Sequence, residues 1–397
     1  MARIDSVMSS RRRFLRATGG AGLVAAAGLE PLANLARAAS PSPGAAAPAF
    51  SWDHVPAAAI LGKPTGDFSA LEAAFIGGHF SFIALEPTGM PNNPPGQNFV
   101  EVGAARNAHL LKSANPQIKI LIAWDWQGTV ANYQAYARPD YDPAWRLAKH
   151  NHHIHDITNQ AFRQWWANAA ASMVDRPELD GIYVDGIADD VANPSVLDLL
   201  QRLRRALDAL SVPKLVITSA SGQGALPGDP LSLYNVADGE AIVHFAEIGN
   251  GTPDTMRANM NQMAALALAG KIVLFKAWPK FIAGDPTEKV LTYGQRLALA
   301  RRNIGFPLAC FLAAAQPHCY FQYGWGFNND EGTYVLHDAK ASADRQMVDA
   351  SYYSELLQPL GPPLGNPAIR GYEYTRRFQH AALRVNVQTR QVAINWA

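Results

Sequence analysis

Cysteine is nearly absent. The 397 residues contain only Cys310 and Cys319, too few for the disulfide framework that staples small exported domains. Cys310 lies in an apolar helical run, where a buried free thiol is the expected state and a bond to Cys319 the alternative. Charge imbalance is missing as well: 34 Lys and Arg against 33 Asp and Glu leave a formal net charge of +1. That balance gives no electrostatic footprint for nucleic acid or for an anionic membrane surface. No apolar run reaches the ~20 residues of a stable membrane span. The sequence also lacks a Gly-rich dinucleotide fingerprint after its first strand, a phosphate-binding loop and an H-E-x-x-H motif, so no cofactor and no metal are expected. Three histidines do stand close together in Asn151-His152-His153-Ile154-His155-Asp156. With no second Cys/His group to complete a metal site, this stretch reads as a polar loop near the site, from which His155 or Asp156 could contact substrate.

What is present begins with an address. Ser10-Arg11-Arg12-Arg13-Phe14-Leu15-Arg16 matches the twin-arginine export pattern, Ala21 to Leu29 is a short apolar stretch, and Ala36-Arg37-Ala38 supplies small residues for cleavage after Ala38. The expected partners during export are the twin-arginine translocase and signal peptidase, and the expected compartment is periplasmic or extracellular in a bacterium. That route carries folded cargo, which also leaves room for a cofactor loaded before export. The expected division is a signal peptide over 1–38, a flexible Pro, Ala and Ser tether over 39–49, a folded body over 50–358 and a separate tail over 359–397.

The body alternates short apolar runs with helical patterns. Expected strands are Ala58 to Leu61, Phe80 to Leu85, Ile118 to Ala123, Ile182 to Val184, Lys214 to Thr218, Ala241 to Ala246, Lys271 to Phe275 and Cys319 to Gln322. Between them lie helical stripes such as Leu197, Leu200, Leu203 and Leu207, then Met256, Met260, Met263 and Leu266, and a long helix from Gly294 to Ala314. Eight strands alternating with helices predict a (β/α)8 barrel. The tail reads as three short strands, Tyr372 to Arg377, Ala382 to Val387 and Gln391 to Trp396, forming a small C-terminal β appendage.

In such a barrel, ligands meet the carboxyl ends of the strands. The residues expected on that rim are Glu86, Trp124, Asp125, Trp126, Asp185, Asp189, Glu247, Lys276, Trp278, Gln322, Tyr323 and Trp325. Several acids and several aromatics on one face suit glycosidic cleavage, which uses one carboxyl group to protonate the leaving oxygen and another as nucleophile or base, while aromatic faces carry sugar rings. Asp185 is the expected nucleophile or general base, Glu247 the general acid and Asp125 a third catalytic carboxylate. Glu240 is the second choice beside Glu247. Glu86, Trp124, Trp126, Asp189, Lys276, Trp278, Gln322, Tyr323 and Trp325 are the expected substrate contacts.

Asp180-Gly181-Ile182-Tyr183-Val184-Asp185, the aromatic run Tyr320-Phe321-Gln322-Tyr323, and Leu360-Gly361-Pro362-Pro363-Leu364-Gly365 followed by Arg377-Phe378 and Val385-Asn386-Val387 together carry a resemblance. The chain resembles the bacterial (β/α)8 proteins of hypothetical glycosyl hydrolase family 15, related to the endo-α-1,4-polygalactosaminidase group. The resemblance implies that Asp185 is a catalytic carboxylate with an acid on strand six as its partner. It also exposes a departure, because Val243 stands before His244-Phe245 where relatives often carry glutamate. The expected function is an exported glycoside hydrolase acting on a polysaccharide or oligosaccharide; the alternative is a non-catalytic carbohydrate-binding or envelope protein on a degenerate barrel.

Overall fold

Strands buried on both faces need almost uninterrupted apolar side chains, and the eight short runs supply them. The computed structural model describes residues 47–63, 66–87, 99–128, 132–149, 152–188, 190–222, 229, 232–246, 251–337 and 349–397. Eight of its strands are β1 (Ala59–Leu61), β2 (Phe82–Leu85), β3 (Lys119–Asp125), β4 (Gly181–Asp185), β5 (Leu215–Thr218), β6 (Gly239–Phe245), β7 (Ile272–Ala277) and β8 (Cys319–Tyr323). They form one sheet in sequence order, each parallel to the next. β8 returns to β1 through isolated parallel bridges, Ala57 to Phe321 and Gly62 to Asn328. Between those bridges the side-chain amide of Gln322 acts as a ladder rung: Oε1 accepts from the Ile60 N–H and Nε2 donates to the Ile60 carbonyl, both at 2.9 Å. The sheet is therefore a closed (β/α)8-type barrel.

Its helices are α1 (Ala70–His79), α2 (Val100–Ala114), α3 (Gln160–Val174), α4 (Pro194–Asp208), α5 (Pro253–Leu268), α6 (Pro286–Val290), α7 (Tyr293–Asn303) and α8 (Gly305–Ala314). α4 starts at the Asn193 cap with Pro194 in its first turn, and buries Val196, Leu199, Leu200, Leu203 and Leu207 at helical spacing. The connection from β5 to β6 has a short 3-10 turn, Leu233–Asn235, among its described residues. The helix expected from Gly294 to Ala314 is two helices, α7 and α8, bent by 43°. Pro307 explains the break, since it has no N–H for the carbonyl of Asn303 and its ring crowds that carbonyl. Among the described residues no single helix is long and apolar enough to cross a membrane. α8 is apolar all round because it packs against α5 on one side and the C-terminal sheet on the other.

That sheet is antiparallel, in the order β9 (Ala368–Arg370), β10 (Glu373–Arg377), β11 (Ala381–Asn386) and β12 (Gln391–Trp396). β9 escaped the sequence reading, as did two hairpins, Arg146–Lys149 with His152–His155 and Val335–His337 with Asp349–Ser351. Alternation turns Tyr374, Arg376, Leu383 and Val385 inward. Arg376 docks the sheet: its guanidinium donates to the carbonyls of Leu312 (3.0 Å), Ala315 (2.5 Å) and Gly365 (3.2 Å). A cation is thus set on the C-terminal end of α8, where the helix dipole favours it, although burial lowers its pKa to about 10. Cys310 and Cys319 are both buried and free.

The barrel interior is filled by one side-chain set, including Ile60, Phe82, Leu121, Tyr183, Ile217 and Leu274, with Phe50 packed against it. Phe50 lies at the amino-terminal end of the strands. Its ring meets His318 and Tyr320 at 5.4 and 5.8 Å, and the Tyr320 hydroxyl donates to the carbonyls of Pro48 and Ala49 at 3.1 Å.

At the same end, a two-residue device occurs twice. The Asp180 carboxylate accepts from the Ile120 N–H of β3 at 2.9 Å, and the Asp238 carboxylate accepts from the Val216 N–H of β5 at 2.8 Å. Each aspartate is followed by a glycine, Gly181 or Gly239, against which the next strand runs so closely that a Cβ would overlap the Leu215 or Ile272 carbonyl oxygen. The aspartate fixes the register and the glycine admits the neighbouring backbone. Gly181→Ala and Gly239→Ala should each destabilise the protein by about 3 kcal/mol or more, because the obstruction is backbone rather than a mobile side chain. Urea midpoints indistinguishable from wild type would mean that β5 and β7 can move aside.

Candidate active site

Period-two alternation decides which strand-end residues face the barrel and which face the helices. In β2, Phe82 and Ala84 face inward, and Glu86 continues that face. Leu121 and Ala123 of β3 lead to Asp125, Tyr183 of β4 leads to Asp185, and Ile272 and Leu274 of β7 lead to Lys276. Three carboxylates and one ammonium therefore collect at the carboxyl-terminal mouth. Asp125 and Asp185 are directly opposite each other in the β3–β4 register, and both are half-buried.

The loops after β3 and β4 are locked to each other behind this pair. Asp125 accepts from the Gln127 N–H at 2.8 Å. The Gly186 carbonyl accepts from both Trp126 Nε1 (3.0 Å) and Gln127 Nε2 (2.9 Å), and Gln127 Nε2 also reaches Asp190 at 3.0 Å. Gly186 has φ of 78°, and a Cβ there would overlap Asp125 Oδ1. Glycine at this point lets the Asp125 carboxylate lie against the backbone of the next strand's loop. Asp185 itself accepts from the Gly186 N–H at 3.0 Å. Lys276 is fully buried, donates to the Gly324 carbonyl at 2.6 Å, and sits 3.9 Å from the centroid of the Trp278 ring. Behind β2 and β3 the Tyr133 hydroxyl donates to the Ala123 carbonyl; burial, then the negative charge of Glu86, keeps that phenol protonated.

Several residues expected at the rim are spent elsewhere, for the same geometric reason. Trp124 points outward from β3 and stacks on Trp166 at 4.8 Å. Tyr323 points outward from β8 and donates to the Ala300 carbonyl at 2.9 Å. Trp126 is buried on the Gly186 carbonyl, Trp325 is buried against Phe281, and Gln322 closes the barrel on Ile60. His155 is buried rather than poised for a ligand. Its Nδ1 donates to the Trp126 carbonyl at 3.2 Å, so Nε2 accepts from the Tyr141 hydroxyl at 3.0 Å. Trp278 is inside the mouth but buried, with Nε1 donating to the Val243 carbonyl at 2.7 Å. Asp189 and Glu247 lie outside the described residues.

Glu240 is on the wrong side of its strand. It alternates outward between the inward residues Gly239 and Ala241, into the layer beneath α5, and accepts from the Tyr234 hydroxyl and the Gly222 N–H. Full burial pushes its pKa up to about 7, against the lowering effect of those bonds. A carboxyl whose folded-state pKa lies above its unfolded value contributes stability that is complete at acidic pH and is lost as pH rises through about 7. From about pH 5 to about pH 8 this group should cost wild type on the order of 3 kcal/mol, a loss that Glu240→Gln escapes. Urea titrations of both proteins at the two pH values would show it; a wild-type-minus-variant difference that stays flat with pH would refute the coupling.

The family described as hypothetical glycosyl hydrolase family 15 matches residues 112–382. Similar solved structures include a GH27 β-L-arabinopyranosidase from Geobacillus stearothermophilus, at 11% identity over 84% of each chain with a TM-score of 0.50. A maltogenic α-amylase from Thermotoga neapolitana is 13% identical over 83% of this chain and 86% of its own, with a TM-score of 0.44. The glycoside hydrolase domain of PelA from Pseudomonas aeruginosa is 14% identical over 62% of this chain and 89% of its own, with a TM-score of 0.38. At 11% identity the likeness to the arabinopyranosidase is one of fold alone. No curated protein matches.

Proposed function

The chain belongs to hypothetical glycosyl hydrolase family 15, and on that premise we propose that it is an exported glycoside hydrolase cleaving O-glycosidic bonds of a polysaccharide or oligosaccharide. The observation that carries the reading is the pair Asp125 and Asp185, in register on neighbouring strands and turned to one mouth. Hydrolysis of a glycosidic bond needs one carboxyl group to donate a proton to the departing oxygen and one carboxylate to attack the anomeric carbon or to activate water. Asp185 takes the second role. Glu247, two residues beyond β6 in the sequence, takes the first, with Asp125 as the third carboxylate, and Asp125 and Glu86 orient substrate and adjust the ionisation of the others. Lys276 supplies a fixed positive charge that offsets three carboxylates in one space. The leader motif Ser10 to Arg16 supports passage through the twin-arginine translocase, release by signal peptidase and a periplasmic or extracellular site of action.

A second reading, a carbohydrate-binding protein without catalysis, is favoured by Val243, where the family resemblance implies a glutamate. Reducing-end release from a panel of bacterial and plant polysaccharides separates the two. Wild type should release ends, and Asp185→Asn should lose at least about a thousandfold in kcat/KM while binding the same glycan. Equal release by the variant would remove Asp185 from the chemistry. Binding without release by wild type would favour the second reading.

A further inference from the structure

β6 and β7 pair residue for residue from Gly239 opposite Ile272 to Ile242 opposite Phe275, and then the register slips. Pairing resumes with Phe245 opposite Ala277, so Val243 and His244 together face Lys276 alone. One extra residue on one strand is a β-bulge. Its consequence for side-chain direction follows from the residues on either side. Ile242 and Phe245 both belong to the outer core between barrel and helices, with the Phe245 ring 4.4 Å from that of Phe275. A strand that shows its outer face at 242 and again at 245 has turned both intervening residues inward. Strict alternation would have sent His244 outward beside Ile242. Instead Val243 joins the buried filling of the barrel, and His244, half-buried, stands one step closer to the mouth.

Two further features hold the slip in place. Trp278 Nε1 donates to the Val243 carbonyl at 2.7 Å, supplying that carbonyl with a partner within the bulge. Ala246, just past the end of β6, takes φ of 55°, a left-handed conformation that alanine seldom adopts. A bulge followed by a strained residue at the carboxyl end of a barrel strand is a device for re-aiming a side chain.

We propose that His244 is a substrate-contacting residue of the mouth, delivered by the bulge into the space shared by Glu86, Asp125, Asp185 and Lys276. That its substrate is carbohydrate rests on the glycoside hydrolase reading. Neutral imidazole offers one donor and one acceptor from a rigid ring, the pattern that matches a sugar hydroxyl. The groups that face it are Lys276 of β7 directly across the bulge, Asp185 of β4, Asp125 of β3 and Glu86 of β2; Ser219 after β5 and Gln322 of β8 bring no charge, and Glu240 of its own strand points away.

The placement is tested without any substrate. Histidine ring NMR spectra at one fixed pH are recorded for wild type, with His244→Gln to assign the signal, and for Asp185→Asn and Lys276→Gln after circular dichroism has verified their folds. Removing either charged group should move the His244 ring resonances, because a charge facing the ring across a low-dielectric mouth polarises it. An imidazole turned outward, behind the barrel wall, would respond to neither variant, and that result would overturn the proposal. The contact is tested by reducing-end release, where His244→Gln should lose about tenfold or more in kcat/KM. An unchanged kcat/KM in the variant beside an active wild type would also overturn it. Release by neither protein would count against the glycoside hydrolase reading, and the NMR spectra would then decide whether His244 belongs to the mouth.

Discussion

A barrel exists only if its last strand meets its first. Here backbone bonds at either end of the seam, such as Phe321 N–H to the Pro56 carbonyl at 2.8 Å and Gly62 N–H to the Phe327 carbonyl at 2.7 Å, are bridged in the middle by a side chain. The Gln322 amide supplies both halves of a backbone-like pair to Ile60. Just above it, the buried Glu72 of α1 gathers Lys63 from the loop after β1 at 2.5 Å and Asn329 from the loop after β8 at 3.0 Å, while also accepting from the Ser69 N–H at 2.9 Å. A buried ion pair is no reliable source of net stability. What it supplies is definition, since a carboxylate with this many fixed donors has one satisfied arrangement. The same seam leads on to Gly324, whose carbonyl holds Lys276, so closure and the charge at the mouth are parts of one network.

Local pattern was enough to locate all eight barrel strands, because a buried strand announces itself within ten residues, whereas the short strand β9 and the two hairpins carry too little apolar pattern to do so. Asp125 and Asp185 were legible as strand-end acids for that reason. Direction was harder. Trp124 and Tyr323 sit at strand ends yet face the helices, and one residue of phase separates a ligand contact from core packing. The closing role of Gln322, expected instead as a substrate contact, could not be read, because its partner is 262 residues away. Glu240 loses its expected role by the same arithmetic, since strict alternation buries it outside the barrel, and a single bulged position turns His244, to which the sequence assigns no role, inward. No compositional signal marks that bulge. Trp278 and the strained Ala246 mark it only once the fold is known.

Rigidity behind the mouth comes from aromatic stacking rather than from further charge. His155 lies between the rings of Tyr136 and Phe162, nearly parallel to both at 5.5 and 4.6 Å. Tyr136 in turn meets Trp165 at 5.7 Å and Trp124 at 5.7 Å. Such pairs each add about 0.5–1.5 kcal/mol beyond the area they bury. Through the bond from His155 to the Trp126 carbonyl, this stack fixes the backbone immediately after Asp125. The histidine-rich stretch that invites a metal hypothesis in the sequence is thus, at His155, a brace for the loop that carries the carboxylate.

Phe50 and the carbonyls of Pro48 and Ala49 stop the amino-terminal end of the barrel, the end opposite the mouth. Residues 47–50 therefore lie at the closed pole of the barrel. A support joined to the body at residue 47 would hold it by its base, with the open pole on the opposite side.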